Sequence, residues 1–360
     1  MKIAALFFIL AALCGCAANG VDQPAVHPPA SASDPLPGMP EARNDVLLND
    51  DIPAANPFEN EESAAVHVVS ACWQPLVQAL VKDGFEEEYI RLQFSQLGAA
   101  RSTKPMETKI GELFRNSFAP KKKTAAKKQG RQIEYDKDSG IPLPWFKDIV
   151  VPENIAKCRS FIETNQDAFR SAYARFGVPP ETAAALLFVE TRLGTYLGKH
   201  SAFSNLAGMA STRHPDDIRS FINSLEMPSG MDNTSRDKWI RSKMLAKSDW
   251  AYAELKALLA YCRNNDIEPM SLPGSIYGAI GLCQFMPSNL PVFGCDGDGD
   301  GIINVFEPSD AVASLSRYLS RNGWNRSDTV ESKLKVLRTY NNMQVYANTV
   351  LALAWHIEHD

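Results

Sequence analysis

The feature that most constrains this fold is one apolar run, GVPPETAAALLFVETRLG, at residues 177–194. Pro179 and Pro180 suit the first turn of a helix, where a missing backbone N–H costs nothing. The residues that follow, from Thr182 to Thr191, predict a buried helix. The rest of the chain has to pack around this segment.

Glu190 lies near the end of this predicted helix, on the same face as apolar residues. It continues a series spaced at i, i+3, i+4 and i+7, whose other members are Ala183, Leu186 and Leu187. Desolvation raises the pKa of a carboxyl group, and a carboxyl that stays protonated near neutral pH suits a general acid. The alternative is that Arg192, Lys199 or another cation neutralises Glu190, which would then be structural.

The remaining periodicity predicts a mainly α-helical chain. The predicted helical segments are 72–82, 86–97, 152–176, 250–264, 308–323 and 337–357, with a junction between helices at 340–342. Residues 100–150 contain several Gly and Pro and predict loop and short extended pieces. Residues 212–249 are polar, and they predict an irregular region.

The N-terminus predicts export and lipid anchoring. Residues 1–16 contain an early Lys and a short apolar core, which is typical of a signal peptide and too short for a membrane span. Their end resembles a bacterial lipobox with Cys16 as the lipidated residue; Cys14 fits less well, and an ordinary signal peptide is the alternative. Ala17 follows Cys16 in place of Asp, which favours the periplasmic face of the outer membrane.

Three further regions differ in composition. Residues 17–66 are rich in Pro, Ala and Ser without apolar periodicity, and they predict a flexible tether. Residues 67–360 are globular in composition and predict one large domain or a core with attached subdomains. The net charge of −5 argues against nucleic-acid binding. A local basic cluster at 121–131 indicates a solvated loop or, alternatively, contact with an anionic polymer or surface.

Five cysteines remain after the signal region, and they lack a CxxC spacing: Cys72, Cys158, Cys262, Cys283 and Cys295. Export implies an oxidising compartment, so one or two disulfides are expected and one thiol stays odd. We predict a Cys72–Cys158 bridge because both residues precede the Glu190 helix.

Residues 273–288, PGSIYGAIGLCQFMPS, combine the side chains that a sugar site needs. Glycines allow tight turns and close approach of the backbone to a ligand. Ser275 and Gln284 offer neutral hydrogen-bonding groups, while Tyr277 and Phe285 offer flat apolar surfaces. The alternative is a structural turn around a core Phe.

Residues 296–307, DGDGDGIINVFE, follow the pattern of a calcium-binding loop. The expected ligands are the carboxylates and the carbonyl at the pattern's ligand positions: Asp296, Asp298, Asp300, Ile302 and Glu307. Closely spaced carboxylates repel one another without a cation, so a structural Ca²⁺ is predicted, the alternative being a solvated acidic turn.

Taken in order, these motifs resemble the membrane-bound lytic murein transglycosylase B family. The matching pieces are 177–194, 278–288, the acidic loop followed by Pro308-Ser309-Asp310-Ala311, and 339–347. The resemblance implies a mainly α (α+β) fold with a lysozyme-like helical core at about 177–360, a helical part at 67–176, an EF-hand-like calcium loop and smaller flanking subdomains. It implies cleavage of the MurNAc-β-1,4-GlcNAc bond of peptidoglycan with formation of 1,6-anhydro-MurNAc.

The resemblance also implies residue roles. Glu190 matches the catalytic acid/base, and the glycan-contacting positions match Ser275, Gln284, Tyr340 and Asn341. It favours Asp310 over Glu307 as the last calcium ligand. The segment 212–249 is longer than the resemblance leads one to expect, and the basic cluster has no clear counterpart. Rival functions are a non-catalytic peptidoglycan-binding scaffold, which would join wall-remodelling proteins, and a true hydrolase.

Overall fold

The computed structural model describes residues 67–118 and 133–360, which all belong to one compact unit. The predicted signal peptide with Cys16, the predicted tether and the basic cluster at 121–131 lie outside the described residues. Within the described ranges, no helix combines the length and the apolar character needed to cross a membrane.

Helices dominate these ranges. In chain order they are α1 (Gln74–Lys82), α2 (Glu87–Ser95), α3 (Lys104–Phe118), α4 (Pro152–Thr164), α5 (Gln166–Phe176), α6 (Pro180–Thr191), α7 (Ala202–Ser211), α8 (Arg219–Asn223), α9 (Asn233–Asn264), α10 (Leu290–Phe293), α11 (Pro308–Arg321), α12 (Val330–Tyr340) and α13 (Gln344–His359). Two short strands, β1 (His200–Ser201) and β2 (Pro273–Gly274), pair antiparallel with Ser201 opposite Pro273.

Helix α6 forms the centre of the core. Every residue from Thr182 to Val189 is buried, so the helix is covered on all sides and not only along one stripe. Helices α4, α5, α11 and α13 pack against it. Pro180 occupies the first turn as predicted, and Gly177 ends the preceding helix α5 in the left-handed conformation, with φ of 67°.

Two sequence predictions about helix boundaries are wrong. Residues 104–118 form helix α3, where loop was predicted, because Met106, Ile110 and Phe114 repeat at helical spacing and are buried. Helix α9 begins at Asn233, where an irregular region was predicted. The Asp232 side chain caps it by accepting the Ser235 N–H at 2.6 Å. Its buried stripe is diluted by exposed Lys, Arg and Ser residues, which hid the periodicity.

The predicted Cys72–Cys158 disulfide is also wrong: all five described cysteines are free. Cys72 lies beside Ala99, 3.5 Å from its carbonyl oxygen, in the part of the chain whose helix α1 packs on α7. Cys158 is buried on α4, which packs on α6 and α13. Burial raises the pKa of the Cys158 thiol to about 12, which makes it an inert apolar side chain at neutral pH.

Candidate active site

Glu190 is half-buried at the C-terminal end of α6. The hydroxyl of Tyr346, a residue buried on α13, donates a hydrogen bond to Glu190 Oε1. A neutral hydroxyl orients the carboxyl without fixing its charge, so this partner is compatible with both the protonated and the ionised form. That is the environment that a group exchanging protons with a ligand requires.

The end of α6 is shaped so that Glu190 meets the 273–288 loop. Arg192 and Leu193 both adopt the left-handed conformation, with φ of 55° and 59°, which stops the helix directly after Thr191. The Thr191 hydroxyl donates to the Leu282 carbonyl at 2.8 Å and accepts the Gly194 N–H at 3.0 Å. These bonds fix the last turn of α6 to the loop.

Arg192, one of the two cations that could neutralise Glu190, packs against helix α6. The Arg192 guanidinium lies 4.4 Å from the centroid of the Phe188 ring. Burial lowers the pKa of Arg192, and the nearby Cys158 sulfur opposes that shift. Lys199, the other cation considered, is exposed in the segment before β1.

The 273–288 loop consists of successive tight turns. Ile280 and Phe285 exchange backbone hydrogen bonds of 2.9 and 3.0 Å. Gly281 has a φ of 73°, and a Cβ atom there would lie 2.5 Å from the Val305 carbonyl oxygen. Only glycine fits such an approach, so the predicted role of a glycine at this turn has a steric cause.

Ser275 and Gln284, the predicted sugar contacts of this loop, are 6% and 8% exposed. The Ser275 hydroxyl oxygen accepts the N–H groups of Tyr277 and Ala279 at 3.3 and 3.0 Å, so it shapes the turn and can still donate its proton. The Gln284 amide donates to the Gly281 carbonyl at 3.1 Å from a backbone with φ of 49°.

Tyr340 and Asn341 occupy the predicted junction, between α12 and α13. The Tyr340 hydroxyl donates to the Cys283 carbonyl, and its ring centroid lies 6.0 Å from that of Phe285. Asn341 is 4% exposed; its Oδ1 accepts the Met343 N–H at 3.2 Å. Within the described part of the chain, its Nδ2 has no hydrogen-bond partner. A buried, unpaired donor is costly, so Asn341 is a good candidate to bind a ligand oxygen.

Two residues next to Glu190 were missed by the sequence analysis. Tyr346 was assigned only to the apolar pattern of the last helix, although its hydroxyl donates a hydrogen bond to Glu190. Burial raises the pKa of the Cys283 thiol to about 12, and the negative charge of Glu190 adds to the shift. The sequence signal for both was a Tyr or Cys within an apolar run. Such residues are common in protein cores, so this signal does not single out a neighbour of Glu190.

The acidic loop brings three carboxylates together. One oxygen each of Asp296, Asp298 and Asp310 lies within 4.8 Å of the others. Ligands on opposite sides of a Ca²⁺ ion at 2.3–2.6 Å are separated by about 4.6–5.2 Å, so this set fits the ion. Asp310 also accepts the N–H groups of Gly297 and Asn304 at 2.8 and 2.5 Å.

The other predicted calcium ligands lie outside this triad of carboxylates. Asp300 is exposed and accepts the Ile302 N–H at 2.7 Å, while Glu307 is exposed at the start of α11. The geometry therefore favours Asp310 over Glu307, in line with the resemblance; the ligand set itself stays a prediction.

The acidic loop is connected to the active site through Val305. The Leu282 N–H donates to the Val305 carbonyl at 2.9 Å, and Gly281 packs directly against the same residue. The Leu282 carbonyl also accepts a hydrogen bond from the Thr191 hydroxyl. One series of contacts therefore runs from the acidic loop to the last turn of α6, which carries Glu190.

A known protein is similar in sequence to this chain. Membrane-bound lytic murein transglycosylase B of Escherichia coli K12 is 29% identical over 192 residues, which are 53% of this chain and 45% of that protein. The alignment therefore spans less than half of the relative's own length.

Two groups of solved structures share the fold. The Escherichia coli lytic transglycosylase SLT35, solved in complex with calcium, matches with a TM-score of 0.54 at 19% identity, over 80% of this chain and 93% of that one. Pseudomonas aeruginosa SltB3, solved with NAG-anhNAM-pentapeptide, matches with a TM-score of 0.53 at 16% identity, over 80% of each chain. The predicted mainly helical, lysozyme-like fold is confirmed.

The family model described as the transglycosylase SLT domain matches residues 69–336. That range contains Glu190, the 273–288 loop and the acidic loop. The predicted family is therefore confirmed, and the chain belongs to the transglycosylase SLT domain family.

Proposed function

We propose that this protein is a lytic murein transglycosylase that cleaves the MurNAc-β-1,4-GlcNAc bond of peptidoglycan and releases 1,6-anhydro-MurNAc. The observation that carries the proposal is the Glu190 carboxyl, half-buried beside the 273–288 loop and oriented by the neutral hydroxyl of Tyr346. The family match and the names of the relatives support the same reaction class.

In the first step, Glu190 acts as a general acid. Its proton goes to the glycosidic oxygen, the C1–O4 bond breaks, and GlcNAc leaves with a free hydroxyl. Positive charge develops at C1 of MurNAc, where the oxygen of the sugar's own 2-acetamido group stabilises it. Proton transfer of this kind supplies about 10²–10⁴ of the rate.

In the second step, Glu190 acts as a general base. The carboxylate takes the proton from the C6 hydroxyl of the same MurNAc, and O6 attacks C1 to close the anhydro ring. Glu190 is protonated again, so atoms and charges balance without water. Tyr346 donates to Oε1 in both protonation states and holds the carboxyl in one orientation.

One carboxylate suffices for this route. Glycoside hydrolases usually use a second carboxylate as nucleophile or activator of water, and their two carboxyl groups are about 5–9.5 Å apart. The segments that frame Glu190, residues 273–288 and 340–346, contain no Asp or Glu. Their polar groups are neutral, and the unpaired amide of Asn341 suits a sugar hydroxyl or acetamido oxygen.

The acidic loop would hold Ca²⁺ through Asp296, Asp298 and Asp310. The ion supplies a fixed positive charge that relieves repulsion between the carboxylates, and its role is structural. SLT35, which shares the fold, was solved in complex with calcium. Because the proposed role of the ion is structural, no step of the reaction passes through it.

We further propose that the protein is anchored by lipid on Cys16 to the periplasmic face of the outer membrane. The relative's name describes it as membrane-bound. Cys16→Ala is expected to abolish incorporation of radiolabelled palmitate and to release the protein from the membrane fraction. Incorporation that persists in this variant would refute the assignment.

Digestion of purified sacculi, followed by mass spectrometry of the products, tests the function. The transglycosylase releases products one water lighter than those of a hydrolase, and Glu190→Gln releases none. Products with reducing MurNAc ends would favour the hydrolase. Binding to sacculi without any product from the wild-type protein would favour the non-catalytic scaffold.

A further inference from the structure

One face of helix α9 contacts the end of the 273–288 loop. Glu254 is buried on this face, and its carboxylate accepts the N–H and the hydroxyl of Ser288, both at 2.9 Å. Ser288 lies four residues after Gln284, at the end of the 273–288 loop. Two turns further along α9, the Tyr261 hydroxyl accepts the Val305 N–H at 3.4 Å.

The same face continues toward the N-terminus of α9, beyond the loop. It carries four residues that we call the Trp–Lys track: Trp239, Lys243, Lys247 and Trp250. At 3.6 residues per turn, the four side chains and Glu254 fall within an arc of about 80°. Trp239 and Trp250 are half-buried, and Lys243 is exposed.

The track is an ordered surface. Lys243 Nζ lies 5.7 Å from the Trp239 ring centroid, and Lys247 Nζ lies 5.6 Å from that of Trp250. Trp239 is itself held by the rings of Phe114 and Phe118, at 5.6 and 5.1 Å. Because α3 packs against this end of α9, the side chains of the track keep a fixed geometry.

The track is positively charged in a chain whose net charge is −5. Residues 238–247 contain only basic residues among their charged side chains. The neighbouring carboxylates are engaged elsewhere: Asp249 pairs with Arg213, and Asp237 pairs with Arg219 and Arg236. Across residues 67–118 and 133–360, no carboxylate lies within ion-pair distance of Lys243. Its ammonium is therefore available to an anionic partner.

We propose that the Trp–Lys track binds the peptide stem of the peptidoglycan strand whose glycan occupies the active site; this inference rests on the proposed function. Stem peptides carry carboxylates and small apolar side chains, which match ammonium groups flanked by indole rings. The glycan backbone offers no charge to the lysines. Trp250 lies one turn from Glu254, so the track starts near Ser288, at the end of the 273–288 loop.

The length of the track agrees with this occupant. Trp239 and Trp250 are eleven positions apart, and a helix rises 1.5 Å per residue, so the track is about 16 Å long. An extended peptide spans at most about 3.3–3.6 Å per residue, and a stem of five residues therefore covers a similar length.

The test is a charge reversal on the track, Lys243→Glu combined with Lys247→Glu. The matched control is Lys238→Glu combined with Arg241→Glu, the same charge change on the other side of α9. Initial rates are measured on glycan strands with intact stems and on the same strands after an amidase has removed the stems. We expect the track variant to lose about tenfold in kcat/KM on stem-bearing strands, mainly through KM, and nothing on bare strands.

The control pair should keep both activities. Equal losses of the track variant on both substrates would overturn the proposal, because the lysines would then act on the glycan or the fold. So would an unchanged rate on stem-bearing strands together with lost binding to vesicles of anionic phospholipid, which would identify a membrane surface instead.

A binding measurement separates this inference from the proposed function. Quenching or shift of tryptophan fluorescence on titration with free pentapeptide stem requires no catalysis. Wild-type protein should respond, and the track variant should respond about tenfold more weakly. Should the wild-type protein fail to cleave any strand but still bind the stem, the reaction would be refuted and the track supported. No response of the wild-type protein would refute the track.

Discussion

Two regions of this molecule hold carboxylates in opposite ways. Glu190, at the end of a buried helix, accepts a hydrogen bond from the neutral hydroxyl of Tyr346. In the acidic loop, Asp296 accepts the N–H groups of Gly299 and Gly301 at 2.6 and 2.9 Å, and these backbone bonds lower the pKa of Asp296. A neutral hydroxyl can donate to either protonation state of a carboxyl, whereas backbone N–H groups favour the ionised form of Asp296.

The difference indicates what each region is suited for. A carboxyl that alternates between acid and base must not be saturated with donors that demand its ionised form. A cation site needs carboxylates that stay ionised and stay in place, which backbone N–H groups achieve. Asp310 is intermediate: burial raises the pKa of Asp310, with a further contribution from Asp298 and Asp296, so a bound cation would relieve this site most.

The largest effect is expected at Glu190, the carboxyl that exchanges protons with the substrate in the proposed reaction. Glu190→Gln removes the proton that is exchanged but keeps the shape of the side chain. Turnover of sacculi should fall by at least about 10²–10⁴-fold, while the melting midpoint changes little. Glu181→Gln, in the first turn of the same helix, is the matched control and should keep full activity. Comparable activity of the two variants would remove the distinction between the regions.

A smaller loss is expected from Tyr346→Phe, which deletes only the hydroxyl that orients Glu190. A hydrogen bond to a charged group is worth about 1.5–3 kcal/mol, so kcat should fall about ten- to hundred-fold. The pH profile of kcat should keep its shape, because the Tyr346 hydroxyl can donate to the carboxyl in both protonation states. Tyr173→Phe, which alters an exposed tyrosine, should change neither quantity.

The acidic loop should respond in stability and not in chemistry. At a calcium concentration of about one hundred times Kd, the ion adds about 2.7 kcal/mol to the free energy of unfolding, and chelation should lower Tm by several degrees. Asp310→Asn should abolish this difference, and Asp300→Asn and Glu307→Gln should largely keep it. A Tm that EGTA leaves unchanged in the wild-type protein would show that the loop does not bind a stabilising ion.

The smallest effect concerns Glu254, whose carboxylate is held partly by Ser288. Burial raises the pKa of Glu254 above the ordinary 4.5, so between these two pKa values the folded state binds more protons than the unfolded one. Stability that is present below pH 4.5 is therefore lost as the pH rises through the folded pKa. Glu254→Gln should remove this dependence, so the difference in unfolding free energy between variant and wild type should shift in the variant's favour as the pH rises.

Chemical denaturation across that pH range measures the difference. Glu331→Gln, an exposed residue of α12, serves as the control and should follow the wild-type curve. A pH-independent difference between wild type and Glu254→Gln would mean that Glu254 is no more difficult to ionise than an exposed glutamate. In that case the distinction between Glu190 and the carboxylates of the acidic loop would not extend to Glu254.

Predictions from periodicity succeeded where apolar residues were dense and failed where they were diluted. Helices α6 and α11 were predicted nearly to their ends, because proline at the first turn and apolar spacing agree. Helix α9 was missed before residue 250, since its buried positions Ile240 and Met244 stand among lysines and serines. The Cys72–Cys158 bridge failed because proximity in sequence order carries no information about which helix faces which.

The sequence alone determined the identity of the chemical groups: one carboxyl on an apolar helix, a glycine-rich loop with neutral polar side chains, and an acidic repeat. Each depends on residues that are near one another in the chain, where local geometry is predictable. Only the tertiary structure decided which residues these groups contact. Tyr346 meets Glu190 across 156 positions, and Asp310 joins Asp296 and Asp298 through the approach of α11. Such long-range contacts follow from how helices pack, and helix packing depends on the whole core at once.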